Sequence, residues 1–491
     1  MAVSAIIIRS ISMLFRVMLT EKTGAEGIGL YQLVMSIYLV FVTVSSSGIS
    51  LCATRLFTEL SAKGKPAQAR YAIEKCIVIS FIIGLSGGTL LFFGADFSAG
   101  FILHDTRAAP SLRLLSVSLP FLAVSACIRG YFCARRKSLP TSAEQFIEQI
   151  IETGVFITVF SFYHPSDLTQ ACCITVAGTT SAEVVSFIYS VICYRIDIGR
   201  IGTGREKADS LGRKMLPVML PVSANACLRS GLSAAENALI PQGLCRYGFT
   251  QTMALSQYGI ISGMAMPVLV FPSVIVFPFA ALIIPEISEA RAKDDYSSIK
   301  RMTEKMVESS LRYSVPVTII LIFFAVPLCE VLFGSSEAGK YLSLLAPVIP
   351  FMYLDSVVDG ILKGLNEQTS YFIFNTIDSV IRVLLTVILL PVYGIYGVTA
   401  VIIISELLNT AMSVWRLVKV TSFRLSLVKA VILPCLLTLL FCLFAAVLPV
   451  IGTKASDVTV KILFCCIMYG IVCILSKKQN CRKITAVKKP G

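Results

Sequence analysis

The sequence has 491 residues, a mean hydropathy of +0.80, 56% hydrophobic residues and only 15% charged residues. A soluble domain typically carries about 25% charged residues, so this composition excludes an ordinary soluble enzyme or binding domain. The net charge of +14 arises from 43 Lys and Arg against 29 Asp and Glu. In a membrane protein such an excess reports on topology, so it does not indicate nucleic-acid binding.

Apolar runs of about 20 residues recur along the chain, which is the pattern of membrane-spanning helices. A bilayer offers the backbone no water to bond, so such runs must be helical, and a β-barrel would show short alternating segments instead. We therefore predict an all-α integral membrane protein with about 14 transmembrane helices. The spans are predicted at 2–19, 30–52, 76–95, 112–134, 143–163, 171–194, 215–240, 259–284, 314–333, 342–363, 371–392, 396–415, 428–449 and 459–475.

The basic residues are distributed unevenly between the predicted loops. Most of the 43 Lys and Arg fall in loops on the side of the N-terminus, which predicts that both termini are cytoplasmic in a bacterial inner membrane. The first span lacks a basic start and a small-residue cleavage site, so we interpret it as a helix rather than a signal peptide. Two longer inner segments, 53–75 and 285–313, are either amphipathic surface segments or ordinary solvated linkers.

An internal repeat divides the chain. Residues 111–131 align with 341–361 at a constant offset of 230 residues, matching Pro120 with Pro350 and Gly130 with Gly360. The alternative is a chance match between two Leu-rich helices. Six helices separate the copies, and because six is even the repeat is parallel. The predicted domains are an N-lobe (1–195, helices 1–6), a cytoplasmic linker (196–214), a C-lobe (215–416, helices 7–12), helices 13–14 (417–476) and a basic cytoplasmic tail (477–491).

Arginines inside the first and seventh spans are candidate substrate contacts. Arg9 and Arg16 are seven residues apart on one face of span one, and Arg229 and Glu236 have the same spacing in span seven, beside Asn237. These spans are equivalent in the two lobes, so we expect all five residues to line the cleft between the lobes. A planar guanidinium group suits a phosphate or pyrophosphate.

Carboxylates inside spans are candidates for coupling or gating. A charge at mid-helix costs about 2.5–3.5 kcal/mol on insertion scales, so each should face a cavity or a partner. Asp355 and Asp359 lie in span ten, and Glu183 and Glu406 lie at matching positions of the sixth and twelfth helices. For the last two, the alternative is a packing role between neighbouring helices.

Other charged residues in spans admit structural explanations. Glu144, Glu148 and Glu152 form a stripe entering span five, four residues apart. Arg129, Glu144 and Lys363 lie near the cytoplasmic edge and can extend to the interface. Asp378 and Arg382 are four residues apart, which favours an ion pair within one helix.

Motifs for catalysis, cofactors or metals are not recognised. Residues 334–340 have the spacing of a phosphate loop, but Tyr341 stands where Ser or Thr would hold magnesium. His104 and His164 do not have metal-ligand spacing, and the 16 cysteines have the pattern of small buried hydrophobic residues. We therefore predict a protein that is not an enzyme, with no cofactor and no metal.

Several short motifs resemble a known family. They are Gly24-Ala-Glu-Gly-Ile-Gly-Leu-Tyr-Gln32, Ser47-Gly48-Ile49, Arg129-Gly130-Tyr131, Pro140-Thr141, Glu144-Gln145, Glu148-Gln149 and Leu362-Lys363-Gly364-Leu365. Together they resemble the stage V sporulation protein B group. That group lies in the polysaccharide-transporter branch of the multidrug/oligosaccharidyl-lipid/polysaccharide (MOP) exporter superfamily. The chain departs from the pattern after Ile49, where a proline is usual, and at Cys133-Ala134-Arg135, where a glycine is usual.

The resemblance implies a two-lobed helical fold that alternates between inward and outward states. It also implies a lipid-linked sugar substrate, such as a precursor of peptidoglycan or of a spore or surface polysaccharide, and the possibility of cell-wall synthesis proteins as partners. Related lipid II flippases use arginines in a central cavity, which matches Arg9, Arg16 and Arg229. The alternatives are a drug or organic-cation antiporter of the same superfamily, and a scaffold or glycosyltransferase component of a wall-building complex.

Overall fold

The computed structural model describes residues 2–163, 165–199, 211–423, 425–449 and 452–487, and within these ranges the chain forms helices and turns without a strand. His164, most of the predicted linker and the end of the predicted tail lie outside them. The all-helical prediction is confirmed. The first nine helices are α1 (Ala2–Ala62), α2 (Pro66–Phe93), α3 (Ala95–Phe97), α4 (Ala109–Ser116), α5 (Leu119–Ala134), α6 (Leu139–Phe162), α7 (Leu168–Gly199), α8 (Leu211–Tyr247) and α9 (Gln251–Gly259).

The later helices complete the described chain. They are α10 (Met266–Val270), α11 (Val276–Ala292), α12 (Tyr296–Phe333), α13 (Ser336–Leu345), α14 (Ile349–Gly364), α15 (Gln368–Tyr393), α16 (Ile395–Thr421), α17 (Leu433–Val447) and α18 (Lys454–Val487). Short π-helical turns lie at Ser98–Ile102, Ile260–Ala265 and Val428–Ile432, and 3₁₀ turns at Thr106–Ala108, Phe271–Val274 and Ala346–Val348.

Within the described residues, ten helices are long and apolar enough to cross a membrane, or eleven if the bent pair Thr106–Ser116 and Leu119–Ala134 forms one span. The first of these, α1, contains two predicted spans, joined across Gly24, whose φ of 68° marks a kink. Helices α6 and α8 have 24 and 37 residues, long enough to cross, but they carry the mid-helix charges that lower hydropathy. The chain is a multi-pass membrane protein.

The chain divides into two compact units, which we describe separately. Unit 1 comprises Met1–Gly263 and Asn375–Val398, and unit 2 comprises Met264–Phe374 and Thr399–Gly491. In unit 1, Tyr131 is fully buried and its ring makes edge contacts with Phe57 and Tyr194, with centroids 5.0 and 5.2 Å apart. In unit 2, α12 packs against α17 and α18 around Phe324 and Cys442. The predicted lobe boundaries follow a different division of the sequence and stay a prediction.

The offset of 230 residues recurs in the local structure of the two units. Gly130 lies so close to the Ser50 carbonyl that an added Cβ would stand 2.3 Å from its oxygen, and the equivalent Gly360 stands 2.6 Å from the Ala280 oxygen by the same measure. Residues with left-handed backbone also occur in pairs at this offset. These pairs are Gly64 with Asp294, His104 with Gly334, and Arg136 with Asn366.

The two long inner segments are not loops. Helix α1 continues to Ala62 and α2 begins at Pro66, so only three residues separate them, and α11 and α12 are joined by a turn of the same length. Gly64 supplies the left-handed residue of the first turn, and Pro66 suits the first position of a helix. Asp295 caps α12 by accepting from the Ser298 amide at 3.0 Å, and this bonding lowers the pKa of Asp295 to about 2. Both segments are thus helical apart from these turns, and their place on the cytoplasmic surface stays a prediction.

Candidate functional site

A cavity of about 520 Å³ lies in unit 1 between α1, α8 and α15. Each helix contributes residues at helical spacing, so each presents one polar face to the cavity. The lining residues are Ser36, Leu39 and Thr43 of α1, Ala226, Arg229, Ser230, Ser233, Ala234, Glu236 and Asn237 of α8, and Asn375, Asp378, Ser379 and Arg382 of α15.

An ion pair between two helices fixes one wall of this cavity. The Nε atom of Arg382 lies 3.0 and 3.1 Å from the two carboxylate oxygens of Glu236. The side chains are 25% and 11% exposed, so the pair is largely shielded. Arg382 thus joins α15 to α8, and the ion pair with Asp378 within α15 that the sequence favoured stays a prediction. Such a pair in hydrocarbon satisfies two charges that would otherwise be costly.

The rest of the cavity wall is rich in hydrogen-bonding groups. Arg229 lies on the same face of α8 as Glu236, seven residues earlier, as its spacing predicts. Thr43 donates to the Ser230 hydroxyl at 3.3 Å, and Ser379 donates to the Asn375 carbonyl at 2.8 Å. Guanidinium and hydroxyl donors together can bind phosphate oxygens. The two carboxylates that line the cavity, Glu236 and Asp378, can bind a cation.

Arg9 and Arg16 are not among the described residues that line this cavity. The segment of α1 before Gly24 packs on α6, where Phe15 meets Phe156 edge-on with centroids 5.2 Å apart. Ser12 donates to the Gln149 side chain, and Arg16 acts electrostatically on Glu152 of α6. A shared role of Arg9, Arg16 and Arg229 in one cleft stays a prediction.

A second polar cluster in unit 1 is built by α5, α6 and α7. Arg129 donates to Glu144 at 2.9 Å, and Glu144 is only 2% exposed. Glu152 accepts from the Thr179 hydroxyl at 2.8 Å and from the Gln149 amide at 3.2 Å. Glu183 is 6% exposed and interacts electrostatically with Arg129 and the α6 carboxylates. These contacts show that Arg129 and Glu144 are paired rather than extended to the interface.

The candidate coupling residues of unit 2 lie on α14 and α16. Asn409 donates to Asp355 at 2.9 Å, which joins the two helices. Asp359 and Glu406 are partly buried. The Nζ atom of Lys363 lies 4.0 Å from the centre of the Tyr371 ring, a cation–π contact. Within the described residues, no group of three or more His, Cys, Asp or Glu side chains has the arrangement to hold a metal ion.

The sequence analysis missed the contribution of α15 to the cavity. Asn375, Ser379 and Arg382 line it, and their positions repeat at i, i+4 and i+7 on one face with Asp378. That spacing is present in the sequence and could have predicted a polar face of α15, but the sequence analysis used only Asp378 and Arg382. The contribution of Ser36 and Thr43 had no comparable signal, because single hydroxyl residues are common in apolar helices.

Solved structures identify the fold. The fold matches "Lipid II flippase MurJ, inward closed conformation" with a TM-score of 0.70, 14% identity and coverage of 97% of this chain and 98% of that chain. It also matches an inward-facing multidrug resistance MATE family transporter of the MOP superfamily, with a TM-score of 0.66, 14% identity and coverage of 86% and 98%. The fold is that of the MOP exporter superfamily.

The family follows from the sequence comparisons. The chain belongs to the family "Polysaccharide biosynthesis protein", whose model matches residues 1–291, and the model "Lipid II flippase MurJ" matches residues 253–469. Stage V sporulation protein B of Bacillus subtilis (strain 168) is 23% identical over 418 residues, 83% of this chain and 80% of the relative. Lipid II flippase MurJ of the same organism is 21% identical over 412 residues, 77% of this chain and 74% of the relative. The resemblance read from the motifs is confirmed.

Proposed function

We propose that this protein is a flippase that moves a polyprenyl-pyrophosphate-linked sugar precursor of peptidoglycan or another cell-surface or spore polysaccharide across the cytoplasmic membrane. The observation that carries the proposal is the cavity between α1, α8 and α15, where Arg229 stands among hydroxyl and amide side chains inside apolar helices. Its volume of about 520 Å³ lies within the usual range for small-ligand sites. An arginine within a membrane-spanning helix is costly, which favours a functional role.

In this proposal Arg229 is the principal contact of the pyrophosphate. The neighbouring Ser230, Ser233 and Asn237 add donors on the same wall. Glu236 and Arg382 neutralise each other, so Arg382 positions the wall rather than binding the anion directly. Arg9 and Arg16 are proposed to guide the anionic head group before it reaches Arg229, because positive charges near a binding site attract an anionic ligand.

The relatives support this class of substrate. Two of them are named lipid II flippases by sequence or by solved structure, and the family is named for polysaccharide biosynthesis. We propose that the termini are cytoplasmic in the inner membrane, because the basic residues concentrate in the loops on that side. The predicted lobes would alternate between inward and outward states, with Asp355, Asp359, Glu183 and Glu406 as coupling or gating groups. Neither catalysis nor a cofactor is required, and cell-wall synthesis proteins are proposed partners.

Flipping in proteoliposomes tests the proposal. Purified protein is reconstituted with a labelled polyprenyl-pyrophosphate sugar, and the accessibility of the head group is followed over time. Wild type should flip the lipid, and Arg229→Ala should lose flipping while it purifies as a monodisperse protein. Arg113→Ala is the matched control, because Arg113 is 45% exposed in a surface pair with Asp96 and should retain activity. Equal flipping by wild type and Arg229→Ala would contradict the assigned site.

The second candidate is an organic-cation antiporter. It is favoured by the two carboxylates of the same cavity, Glu236 and Asp378, and by the structural match to MATE transporters. Dye efflux from cells that express the protein separates the two. Efflux lost in Asp378→Asn, together with failure to flip any polyprenyl lipid, would establish this alternative.

A further inference from the structure

Four carboxylates lie together in unit 1, away from the cavity that contains Arg229. Glu144, Glu148 and Glu152 follow one another at intervals of four residues on α6, and Glu183 faces them from α7. Each step along α6 is about one helical turn, ~6 Å, so these groups form a row rather than a shell around one point. A row of carboxylates in an apolar surrounding demands compensating positive charge.

Two members of the row have that compensation. Glu144 receives the Arg129 guanidinium at 2.9 Å. Glu152 receives two hydrogen bonds, from Thr179 and Gln149, and lies in the field of Arg16. These contacts therefore stabilise the ionised forms of Glu144 and Glu152.

The other two members, Glu148 and Glu183, do not have a cation of their own among the described residues. Glu148 and Glu183 interact with each other, and the cation acting on both is Arg129, which already binds Glu144. Glu183 is 6% exposed, and its Oε2 atom has no hydrogen-bond partner among the described residues. Two neighbouring carboxylates that share one cation with a third carboxylate repel each other strongly in a low dielectric. A pair that holds one proton between its two carboxyl groups avoids this repulsion.

We propose that Glu183 and Glu148 form a proton-binding site in unit 1, and that loading and release of this proton drive the transport cycle. The second half of the statement rests on the proposed flippase function, whereas the first half does not. The proton would pass between the two carboxyl groups and leave along the row of α6. Arg129 holds the site to a single extra proton, because it stabilises one anion of the pair.

Among the described residues, the cation that acts on Glu148 and Glu183 is Arg129, and the other titratable groups around them are phenols and carboxylates. From α1, Tyr38 interacts with Glu183 and Glu148, and Tyr31 interacts with Glu152. Arg16, also from α1, acts on Glu152, and Arg129 comes from α5. Phenols and carboxylates can hand on a proton. The row geometry suits stepwise proton transfer better than the compact oxygen shell that a sodium ion prefers.

Infrared spectroscopy tests proton binding without reference to transport. Exposed carboxyl groups are ionised at neutral pH, so a persisting band of protonated carboxyl arises from buried groups. Wild type in nanodiscs should show such a band, reduced in Glu183→Gln and in Glu148→Gln. Glu59→Gln, which alters an exposed pair with Lys63, is the matched control and should leave the band unchanged. An unchanged band in both site variants would overturn the proposal.

Flipping under an imposed pH gradient tests the coupling. Wild type should flip faster when the gradient is applied, and Glu183→Gln should lose this acceleration while it still equilibrates the lipid. Glu183→Asp, which keeps a titratable group, should recover part of the acceleration. A response to a sodium gradient in place of the pH gradient would overturn the proton as the bound ion. Absence of flipping in wild type would instead contradict the proposed function and leave the infrared result standing.

Discussion

Two helix pairs of unit 1 occupy equivalent places in the repeat and carry opposite charges. Glu152 on α6 and Arg382 on α15 are 230 residues apart and carry opposite charges. Arg16 of α1 interacts with Glu152, whereas Glu236 of α8 binds Arg382. Both helix pairs therefore combine a cation with an anion in opposite order, and of the two combinations Arg382 with Glu236 is a direct ion pair.

The surroundings of the two pairs differ as well. The first pair lies beside the row of carboxylates on α6 and Glu183 on α7, of which Glu144 and Glu183 are buried. The second pair lines the cavity of about 520 Å³, and Arg229 lies on the wall of that cavity. In the proposed account, the parallel repeat supplies two related scaffolds, one of which binds a proton and the other the substrate.

Breaking the second pair should have the largest effect. Arg382→Ala leaves the carboxylate of Glu236 without the guanidinium that binds it, and loss of one partner of a buried pair costs about 3–5 kcal/mol. We expect a large drop in the midpoint of thermal unfolding in detergent. The exchange variant Glu236→Arg with Arg382→Glu reverses the polarity of the pair. It should recover most of the stability, and no recovery would contradict the ion pair as the source of the loss.

Breaking the ion pair at the head of the α6 row should cost less. Arg129→Gln deprives Glu144, which is 2% exposed, of its cation, and we expect a loss of about 3 kcal/mol. Adding Glu144→Gln removes the stranded charge and should restore more than half of that loss. Thermal unfolding of the single and double variants measures both terms. If the double variant is no better than Arg129→Gln, the contact is not the source of the stability.

The close glycine contacts should show the next effect. Gly130→Ala and Gly360→Ala each push a methyl group against a backbone carbonyl, at 2.3 and 2.6 Å, and overpacking of this kind costs about 1–3 kcal/mol. The Gly130 variant should lose more stability than the Gly360 variant. Gly154→Ala on α6 is the control, because a Cβ there has no neighbour within 4 Å among the described residues. The ranking fails if Gly154→Ala is as destabilising as the other two.

The smallest effect is expected at the turn after α14. Arg416 donates to Glu367 at 2.8 Å, and this bond holds the pKa of Glu367 below its ordinary value. Lys137, 230 residues before Glu367, carries the opposite charge and pairs with Asp197. Glu367→Gln should lose less than about 1 kcal/mol, because the pair is partly solvated.

The pH dependence of that effect follows from the lowered pKa. The stabilisation by Glu367 is present above the pKa of the unfolded chain and is lost as the pH falls through the folded value. The difference between wild type and Glu367→Gln should therefore shrink in acid. A difference that grows as the pH falls would mean that the folded protein prefers the protonated carboxyl.

Helical periodicity and the repeat made much of the fold predictable. The shared Pro-Phe of residues 120–121 and 350–351 marked the repeat, and the spacing of Arg229, Glu236 and Asn237 placed them on one face. The partners of Arg382 and Arg16 could not be predicted, because contacts between helices depend on register and packing that periodicity does not contain. The helical ends at 53–62 and 66–75 were missed, because their polarity resembles that of a loop.

The most direct test of the division between the two regions is flipping by Arg229→Ala and Glu183→Gln, each with and without a pH gradient. Arg229→Ala should not flip under either condition, and Glu183→Gln should flip at the same rate under both. Such a result would separate substrate binding from proton binding. Acceleration of Glu183→Gln by the gradient, or flipping by Arg229→Ala, would contradict the assignment of the two functions to the two helix pairs.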